Sequence, residues 1–453
     1  MIDHQPDLNQ LPNELKPAFQ ELKVLKHLQQ AGFRKRFGFS CARLFQLVFV
    51  LLFHQKNWFR LLESSKGDAF PGKEDAVYRF LNHAGFAWRR FLTSLSVATV
   101  QKVNVLTSSN RDTVFIVDDS MFERNRSKAV ELLARFKDHA TGAYYKGFRM
   151  LTMGWSDGHT FLPLDFTLLS SSKSAINGMN EKIDKRTNGY KRRQEALLPA
   201  PQVIVSMLDR ALTAGATASY VLMDSWFTHA PLIGEIVSRG LDVIGMVKND
   251  NKRFLVQGRK LSLKELYAAA SPVQSKKRGI LRSIQTELAP GIPVRVVFVR
   301  HRTKKNEWLA VLSTDLSLSV EDVIRIYGIR WDIEVFFKCT KSLLRLQKEF
   351  QGRSYDLLIS HTTIVFSRYI LLAWQHRQST DARSFGGLFY VLCDEVGTLD
   401  WAIALQQLLD LINETATKAG KKLSALIQRQ LQQWIAALPN YIKACLPISC
   451  CES

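Results

Sequence analysis

The chain has 453 residues, with 62 Lys and Arg against 41 Asp and Glu, which leaves a net charge of +21. This length gives room for two or three domains. So large a positive excess predicts a polyanionic partner, with nucleic acid ahead of an anionic membrane surface. The six cysteines show no Cys-x-x-Cys spacing and no companion histidines, so a zinc site is disfavoured and a reducing cytosol is indicated.

We expect neither a signal peptide nor a membrane-spanning segment in this sequence. Its first ten residues are polar and acidic, unlike a signal peptide. The most apolar run, 44–53, is too short to span a bilayer and predicts a buried helix. We therefore expect a cytoplasmic protein that does not bind a membrane.

The first hundred residues have the apolar spacing of helices, interrupted by glycines and basic clusters such as Arg34, Lys35 and Arg36. Short helices with basic turns predict an N-terminal helical DNA-binding domain over 1–108, in which that basic cluster contacts phosphates. A simple helical scaffold explains this stretch equally well.

The pattern changes near residue 112, where short β-branched runs begin to alternate with amphipathic segments. The order of three early strands, then helix and strand in turn, predicts an α/β domain with a mixed sheet. The predicted elements are strands at 112–120, 149–169 (two, joined by a turn at 156–159), 218–227 and 241–248, and helices at 200–214 and 232–240.

Residues 249–318 are basic and strand-like, which predicts a β-rich insertion. Lys252, Arg253, Arg300 and Arg302 are its candidate phosphate contacts, although each alone would be an ordinary solvated surface charge. Helices follow at 327–341 and 355–376, and a C-terminal helical segment over 381–453 has no evident chemical task. We predict that this last segment serves assembly, and that the catalytic domain covers 109–380.

The segment 327–341 has an unusual polar stripe. Tyr327, Arg330, Glu334 and Lys341 follow each other at spacings of three, four and seven residues, which places them on one face of a single predicted helix. An Arg330–Glu334 ion pair on a helix surface would explain two of them, but neither Tyr327 nor Lys341. Together, these side chains suit a site in which a carboxylate binds a metal ion beside a polyanion.

Two further carboxylates, Asp118 (or its neighbour Asp119) and Asp224, are predicted to end buried strands. Alone, each would more often be a turn residue or a helix cap. Phosphoryl transfer between DNA strands uses two Mg²⁺ ions clamping the attacking and leaving oxygens, and Mg²⁺ prefers carboxylate oxygens. Two or three carboxylates at one edge of a sheet would be sufficient.

The spacing of Tyr327, Arg330, Glu334 and Lys341, within IRWDIEVFFKCTKSLLRL, resembles the Tyr-Arg-Glu-Lys signature of the IS4-like family of insertion-sequence transposases. Asp118, Asp224 and the β-rich insertion occur in the order that this family shows. The resemblance covers about 110–376.

This resemblance implies an RNase H-like catalytic core with Asp118, Asp224 and Glu334 as its DDE triad, binding two Mg²⁺ ions for which Mn²⁺ can substitute. It selects Asp118 over Asp119 by the family pattern of aspartate, one residue, then Ser or Thr. Tyr327, Arg330 and Lys341 would hold phosphates near the transposon end.

The family also implies cut-and-paste excision through a DNA hairpin with a flipped base. It further implies strand transfer into target DNA, a homodimer on the two transposon ends, and a bacterial cytoplasmic, nucleoid-associated location. Trp308 would stack against the flipped base, with Trp226 a second candidate; the alternative for Trp308 is a half-buried strand residue.

Three other classes of function compete with a transposase. An RNase H-like nuclease or Holliday-junction resolvase would be smaller and would lack the insertion. A domesticated, non-catalytic DNA-binding protein would be expected to lose a triad member, and all three candidates are present. An RNA-binding protein would be expected to show an aromatic or glycine-rich RNA-binding motif. We expect the transposase.

Overall fold

The computed structural model describes residues 11–12, 15–63, 75–137, 142–274, 279–288, 291–301, 303–304, 307–350, 352–378, 384–418 and 420–437. Within these residues, six helices precede the first strand: α1 (Lys16–Glu21), α2 (Val24–Gln30), α3 (Cys41–Leu51), α4 (Trp58–Leu62), α5 (Asp75–Leu81) and α6 (Trp88–Val105). The next elements are β1 (Val114–Glu123), β2 (Ala134–Lys137), β3 (Tyr144–Ser156), β4 (Phe161–Leu169), α7 (Asn188–Glu195), α8 (Ala200–Thr213), β5 (Tyr220–Met223), α9 (Ala230–Val237) and β6 (Asp242–Val247).

In the basic region 249–318, the described residues form five strands and one helix, followed by a sixth strand. These elements are β7 (Phe254–Val256), β8 (Arg259–Leu261), α10 (Leu263–Ala269), β9 (Ser271–Pro272), β10 (Ile280–Leu288), β11 (Ile292–Arg300) and β12 (Trp308–Ser313). Five helices complete the described chain: α11 (Val320–Gly328), α12 (Trp331–Ser342), α13 (Tyr355–Gln378), α14 (Phe385–Lys418) and α15 (Lys421–Ala437).

All the described strands belong to one mixed sheet, so the predicted α/β class is confirmed. The strand order is β2-β3-β1-β5-β6-β12-β11-β10-β7-β8, with β4 paired to β3 and β9 to β10. β1 is antiparallel to β3 but parallel to β5, and β5 is parallel to β6. The apolar run Val114–Val117 is fully buried, as expected for a central strand covered on both faces.

The predicted hairpin between β3 and β4 is also confirmed. Asp157 shapes its turn, because its Oδ1 accepts hydrogen bonds from the backbone N–H groups of His159 (3.0 Å) and Thr160 (2.8 Å). Gly158 lies between Asp157 and His159 with φ +80°, a conformation that favours glycine.

The predicted β-rich region is not separate from the catalytic sheet. β12 pairs antiparallel with β6, from Ala310↔Val247 to Ser313↔Ile244, so β12, β11 and β10 extend the same sheet. Hydrogen bonding along a buried strand edge explains this continuity, because an unpaired β6 edge would leave backbone groups without partners.

The N-terminal helices share one hydrophobic core with the sheet. α6 packs on β4 and on α13, and Arg368 of α13 donates hydrogen bonds to the backbone carbonyls of Val48 and Phe49 next to the end of α3. Glu349 balances the charge of Arg368 at 2.5 Å, with both side chains fully buried. The domain boundaries 1–108, 109–380 and 381–453 remain predictions.

One described helix, α13, has the length and apolar composition that crossing a membrane would require. Its apolar window lies wholly inside the protein. It packs against α6, α3, α5 and β4, so its composition reflects its place in the centre of the core.

Candidate active site

Two predicted carboxylates lie together because of how β1 and β5 pair. Their parallel pairing ends at Val117↔Met223, so the residues that follow, Asp118 and Asp224, lie at the same end of the paired strands. β1 itself continues to Glu123 along β3. We predicted that these acidic residues end their strands. The prediction was wrong for β1, because pairing with the long antiparallel strand β3 keeps β1 extended beyond Asp118.

Asp118 and Asp119 project to opposite faces of the sheet, as alternation along a strand requires. Arg330 Nη1 donates a hydrogen bond to Asp118 Oδ2 at 2.8 Å. Asp119 instead forms an ion pair with Arg149 of β3. Asp118, the residue chosen from the sequence, therefore lies on the face of the sheet that is turned toward α11 and α12.

The prediction that one helix presents the polar stripe was wrong. α11 ends at Gly328, and α12 begins at Trp331 with Arg330 as its N-cap. The backbone N–H groups of Ile329 and Arg330 bond to the carbonyls three residues earlier, at 3.0 and 3.1 Å, in place of the α-helical i−4 acceptors. Both residues keep right-handed helical dihedral angles, so the break is a tight turn.

All four stripe residues consequently reach one cleft of about 610 Å³ together with the two aspartates. Arg330 also donates to Glu334 Oε1, at 3.3 and 3.4 Å, and its guanidinium lies 5.9 Å from the centre of the Tyr327 ring. Lys341 Nζ donates to Ser120 Oγ at 2.6 Å. The residues lining the cleft are Asp118, Asp119, Ser120, Asp224, Ser225, Met246, Tyr327, Arg330, Glu334, Phe337, Lys338 and Lys341.

The apolar side of α12 fixes this arrangement. Ile333, Phe336 and Phe337 are buried, and the Phe336 ring lies 5.0 Å from that of Phe161 on β4 and 4.8 Å from that of Phe366 on α13. The opposite side of the helix therefore faces the strand ends, and Glu334 and Lys341 point into the cleft.

Burial and charge shift the acid–base properties of the cleft. Burial, followed by repulsion from Asp224, raises the pKa of Asp118 to about 7, although Arg330 opposes the shift. Burial also raises the pKa of Asp224 above its usual range. Burial raises the pKa of Tyr327 to about 12 and lowers that of Lys341. In each of these four groups, burial therefore disfavours the charged form.

The carboxylate oxygens match a hard divalent cation in donor type. Within the described residues, no group of three or more His, Cys, Asp or Glu side chains is close enough to hold a metal ion. Arg330 explains why the three carboxylates form no such group, because its guanidinium bonds to both Asp118 and Glu334. The residues fit a divalent cation in charge and chemistry, on the condition that Arg330 moves from between these two carboxylates.

The predicted residues of the basic region that the structure describes do not line the cleft. Trp308 stacks on Tyr267 with 4.7 Å between ring centres and 9° between planes, and meets Phe298 edge-on at 5.0 Å. One face of its indole is thus covered by protein, which agrees with the alternative of a half-buried strand tryptophan. Arg253 and Arg300 are exposed and Lys252 pairs with Asp250 at 3.0 Å; Arg302 lies outside the described residues.

Trp226 lies much closer to the carboxylates. The backbone N–H of Trp226 donates to Asp224 Oδ1 at 2.9 Å, and the side chain is 47% exposed. Trp226 was the second candidate for base stacking, although its position two residues after Asp224 already indicated its place. Ser120 and Arg149 were missed; strand alternation from Asp118 and Asp119 was the available signal for Ser120, and the β1–β3 register was needed for Arg149.

Parts of the chain match known protein families. Residues 41–265 match a family described as DDE superfamily endonuclease, and residues 205–355 match a family described as archaeal putative transposase ISC1217. A transposase of insertion sequence element IS1151 from Clostridium perfringens is 26% identical over 94 residues, which cover 18% of this chain and 20% of that protein. The chain thus matches about one fifth of that relative's length.

Two solved structures are similar over long stretches at low identity. A piggyBac transposase synaptic complex with hairpin DNA matches with a TM-score of 0.43 and 12% identity, over 97% of this chain and 87% of the other. A Drosophila P element transposase strand transfer complex matches with a TM-score of 0.23 and 12% identity, over 56% of this chain and 54% of the other.

Proposed function

We propose that the chain is a DDE-superfamily transposase that excises and integrates its own insertion sequence, and its family matches support this proposal. It binds the terminal inverted repeats, cuts them by metal-dependent phosphoryl transfer and joins them to target DNA. One observation carries this proposal: Asp118, Asp224 and Glu334, which are far apart in sequence, line a single cleft with Tyr327, Arg330 and Lys341.

The order of the central strands supports the proposal that the core is RNase H-like. β4, β3 and β1 are successive antiparallel neighbours, and β5 and β6 then follow parallel to β1. The three carboxylates belong to β1, the end of β5 and a helix packed beside them. The extension through β12, β11 and β10 corresponds to the insertion proposed between the second and third members of the triad.

Asp118, Asp224 and Glu334 would hold a pair of Mg²⁺ ions, for which Mn²⁺ can substitute. These ions, when bound, supply Lewis acidity to the scissile phosphate and lower the pKa of the attacking water or DNA 3′-OH. Arg330 would then exchange its carboxylate partners for a DNA phosphate, to which its planar guanidinium can donate two parallel hydrogen bonds. Lys341 and Tyr327 would hold neighbouring phosphates from the floor of the cleft.

The IS4-like relationship and its hairpin route to the second-strand cut belong to the same proposal. They are supported by the spacing of Tyr327, Arg330, Glu334 and Lys341 and by the common cleft of these residues. We place the protein in the bacterial cytoplasm, on the nucleoid when it is bound to DNA, because its proposed substrate is DNA.

A marked copy of the element, carried on a plasmid and flanked by its own terminal repeats, tests this function. We expect the protein to release the marker and insert it elsewhere in a bacterial host, and scrambling both terminal repeats to abolish release. Failure to release the marker with intact repeats would contradict the proposal.

We propose that a homodimer pairs the two transposon ends through α14 and α15. These helices expose an apolar surface made of Leu408, Leu411, Leu423, Leu426 and Trp434. The first turns of α14 have a different role, because Leu388 and Leu392 are buried in the core. Truncation near 387 would therefore damage the fold, and substitutions on α15 are the better probe.

We expect Leu423→Glu with Leu426→Glu to prevent the pairing of two DNA ends while leaving one-end binding unchanged, because two charges would be buried at the interface. Sedimentation of complexes with short end duplexes measures this. Ala425→Glu with Gln432→Glu, which adds the same two charges at exposed positions of α15, is the matched control. Normal pairing by the double variant would overturn the assignment.

A further inference from the structure

The segment 22–62 carries a dense positive charge far from the catalytic carboxylates in the sequence. It contains eight Lys and Arg residues and no Asp or Glu. Its helices α2 and α3 are joined by the residues 31–40, which we call the basic loop. The exposed cations on or beside this loop are Arg34, Lys35, Arg36 and Arg43. Because no acidic residue of the segment neutralises them, their field attracts a polyanion.

The basic loop also presents one aromatic ring to solvent. Phe37 is 86% exposed, more than any other large hydrophobic side chain in the described part of the chain. The chain bends over 36–39, where Gly38 has φ +75°, a left-handed conformation that glycine adopts without strain. A single exposed apolar side chain is common on protein surfaces. The distinguishing feature here is that three consecutive exposed cations lead directly into it.

Both ends of the basic loop are fixed to the protein. Phe33 is buried, and its ring stacks on that of Phe86 with 4.5 Å between ring centres. At the other end, Ser40 Oγ accepts a hydrogen bond from the backbone N–H of Arg43 at 3.2 Å and so caps α3. The loop therefore holds Phe37 and its cations in place before any partner binds, which reduces the entropy lost on binding.

A projecting apolar side chain among cations fits the minor groove of duplex DNA. There an apolar wedge can enter between two base pairs and bend the duplex, while Arg and Lys contact the flanking backbone. An anionic membrane would attract the same charges, but membrane-binding helices expose a wide apolar face. The residues of α3 that are buried instead include Leu44, Phe45, Leu47, Val48, Phe49, Val50 and Leu51. Duplex DNA is therefore the partner that the loop fits.

We infer that the basic loop enters the minor groove of the transposon-end DNA, and that Phe37 inserts between two base pairs there and bends the duplex. The inference rests on the proposed function for the identity of the partner. The sequence predicted phosphate contacts for Arg34, Lys35 and Arg36, and the wedge is additional to them. No residue of the loop lines the cleft of the carboxylates, so this contact is distinct from the catalytic site.

The test is fluorescence energy transfer between dyes on the two ends of a short duplex that carries the element's end, in EDTA so that no cleavage takes place. We expect wild type to bend this duplex by about 20–90°. Phe37→Ala should abolish the bend and weaken binding by about tenfold, because contacts that depend on the bend are lost. Phe37→Leu should keep most of the bend, since leucine also serves as a wedge.

Phe59→Ala is the matched control. Phe59 is 56% exposed on α4, in the same acid-free segment. Glu63 follows it one helical turn later and pairs with Arg60 at 3.2 Å, so a carboxylate lies beside this ring and disfavours contact with phosphates. We expect Phe59→Ala to bind and bend the duplex as wild type does.

A straight duplex in the wild-type complex, or an unchanged bend with Phe37→Ala, would overturn the inference. It would also be overturned if Phe37→Ala kept the bend but lost co-sedimentation with phosphatidylserine vesicles, because the loop would then bind a membrane. Release of the marked element by wild type can still succeed in each of these cases, so the proposed function would stand. A protein that binds no duplex DNA would overturn both.

Discussion

Asp118→Asn is expected to lower metal-dependent DNA cleavage by at least about a thousandfold, while DNA binding stays within about twofold of wild type. The amide keeps the shape of the side chain and its contact with Arg330, but it loses the charge that a divalent cation requires. Single-turnover cleavage of an end duplex measures the first effect and filter binding the second.

The same substitution is expected to stabilise the metal-free protein at pH 8, with an increase in Tm of about 2–5 °C. Burial and Asp224 raise the pKa of Asp118 from 3.8 to about 7, so the folded state prefers the protonated acid. The wild-type protein therefore loses stability as the pH rises from about 4 to about 7. An asparagine side chain, which resembles the protonated acid, would escape this loss, and the difference in Tm should disappear at pH 4.

Asp119→Asn is the matched control for Asp118→Asn. Asp119 pairs with Arg149 on the other face of the sheet, so we expect cleavage within about tenfold of wild type and no gain in Tm at pH 8. Equal loss of cleavage in the two variants would refute the choice of Asp118 as the ligand.

The second large effect is expected at Arg330, whose guanidinium bonds to Asp118 and Glu334. Arg330→Ala should lower cleavage by about 100- to 1,000-fold, in the range for loss of a preorganised donor to a developing charge. The same variant should bind Mn²⁺ more tightly than wild type in the absence of DNA, because the cation that competes for the carboxylates is gone. Calorimetric titration with Mn²⁺ measures this second effect independently of activity.

Arg330→Lys is the control for Arg330→Ala. It keeps the positive charge but not the planar fork, so it should retain weak Mn²⁺ binding and recover part of the cleavage. If Arg330→Ala binds Mn²⁺ no more tightly than wild type, Arg330 does not compete with the metal for Asp118 and Glu334.

Much of the framework could be predicted because it depends on local patterns. The apolar run Val114–Val117, the two strands around the Asp157 turn and the strand before Asp224 all lie where the sequence placed them. Asp118 and Asp224 could be placed at one edge of the sheet because parallel strands bring their carboxyl ends together. The amphipathic helices α8 and α9 likewise follow from their apolar spacing.

The other features depend on long-range pairing or on a single hydrogen bond. The turn at Ile329 and Arg330 was missed because a change from i−4 to i−3 acceptors leaves the apolar pattern nearly intact. The continuity of β6 with β12 follows only from edge pairing between segments far apart in the chain. Trp308 was proposed as a DNA contact from the family resemblance, and its stacking on Tyr267 has no local sequence signal.

The most direct measurement is cleavage of a linear duplex that carries the element's own end, with and without Mg²⁺, by wild type and by Glu334→Gln. If Asp118, Asp224 and Glu334 form one catalytic site, wild type nicks the end only with Mg²⁺, and Glu334→Gln binds the DNA without cutting it. Undiminished cutting by Glu334→Gln would contradict the triad, and wild-type binding without cleavage under every condition would indicate a non-catalytic DNA-binding protein.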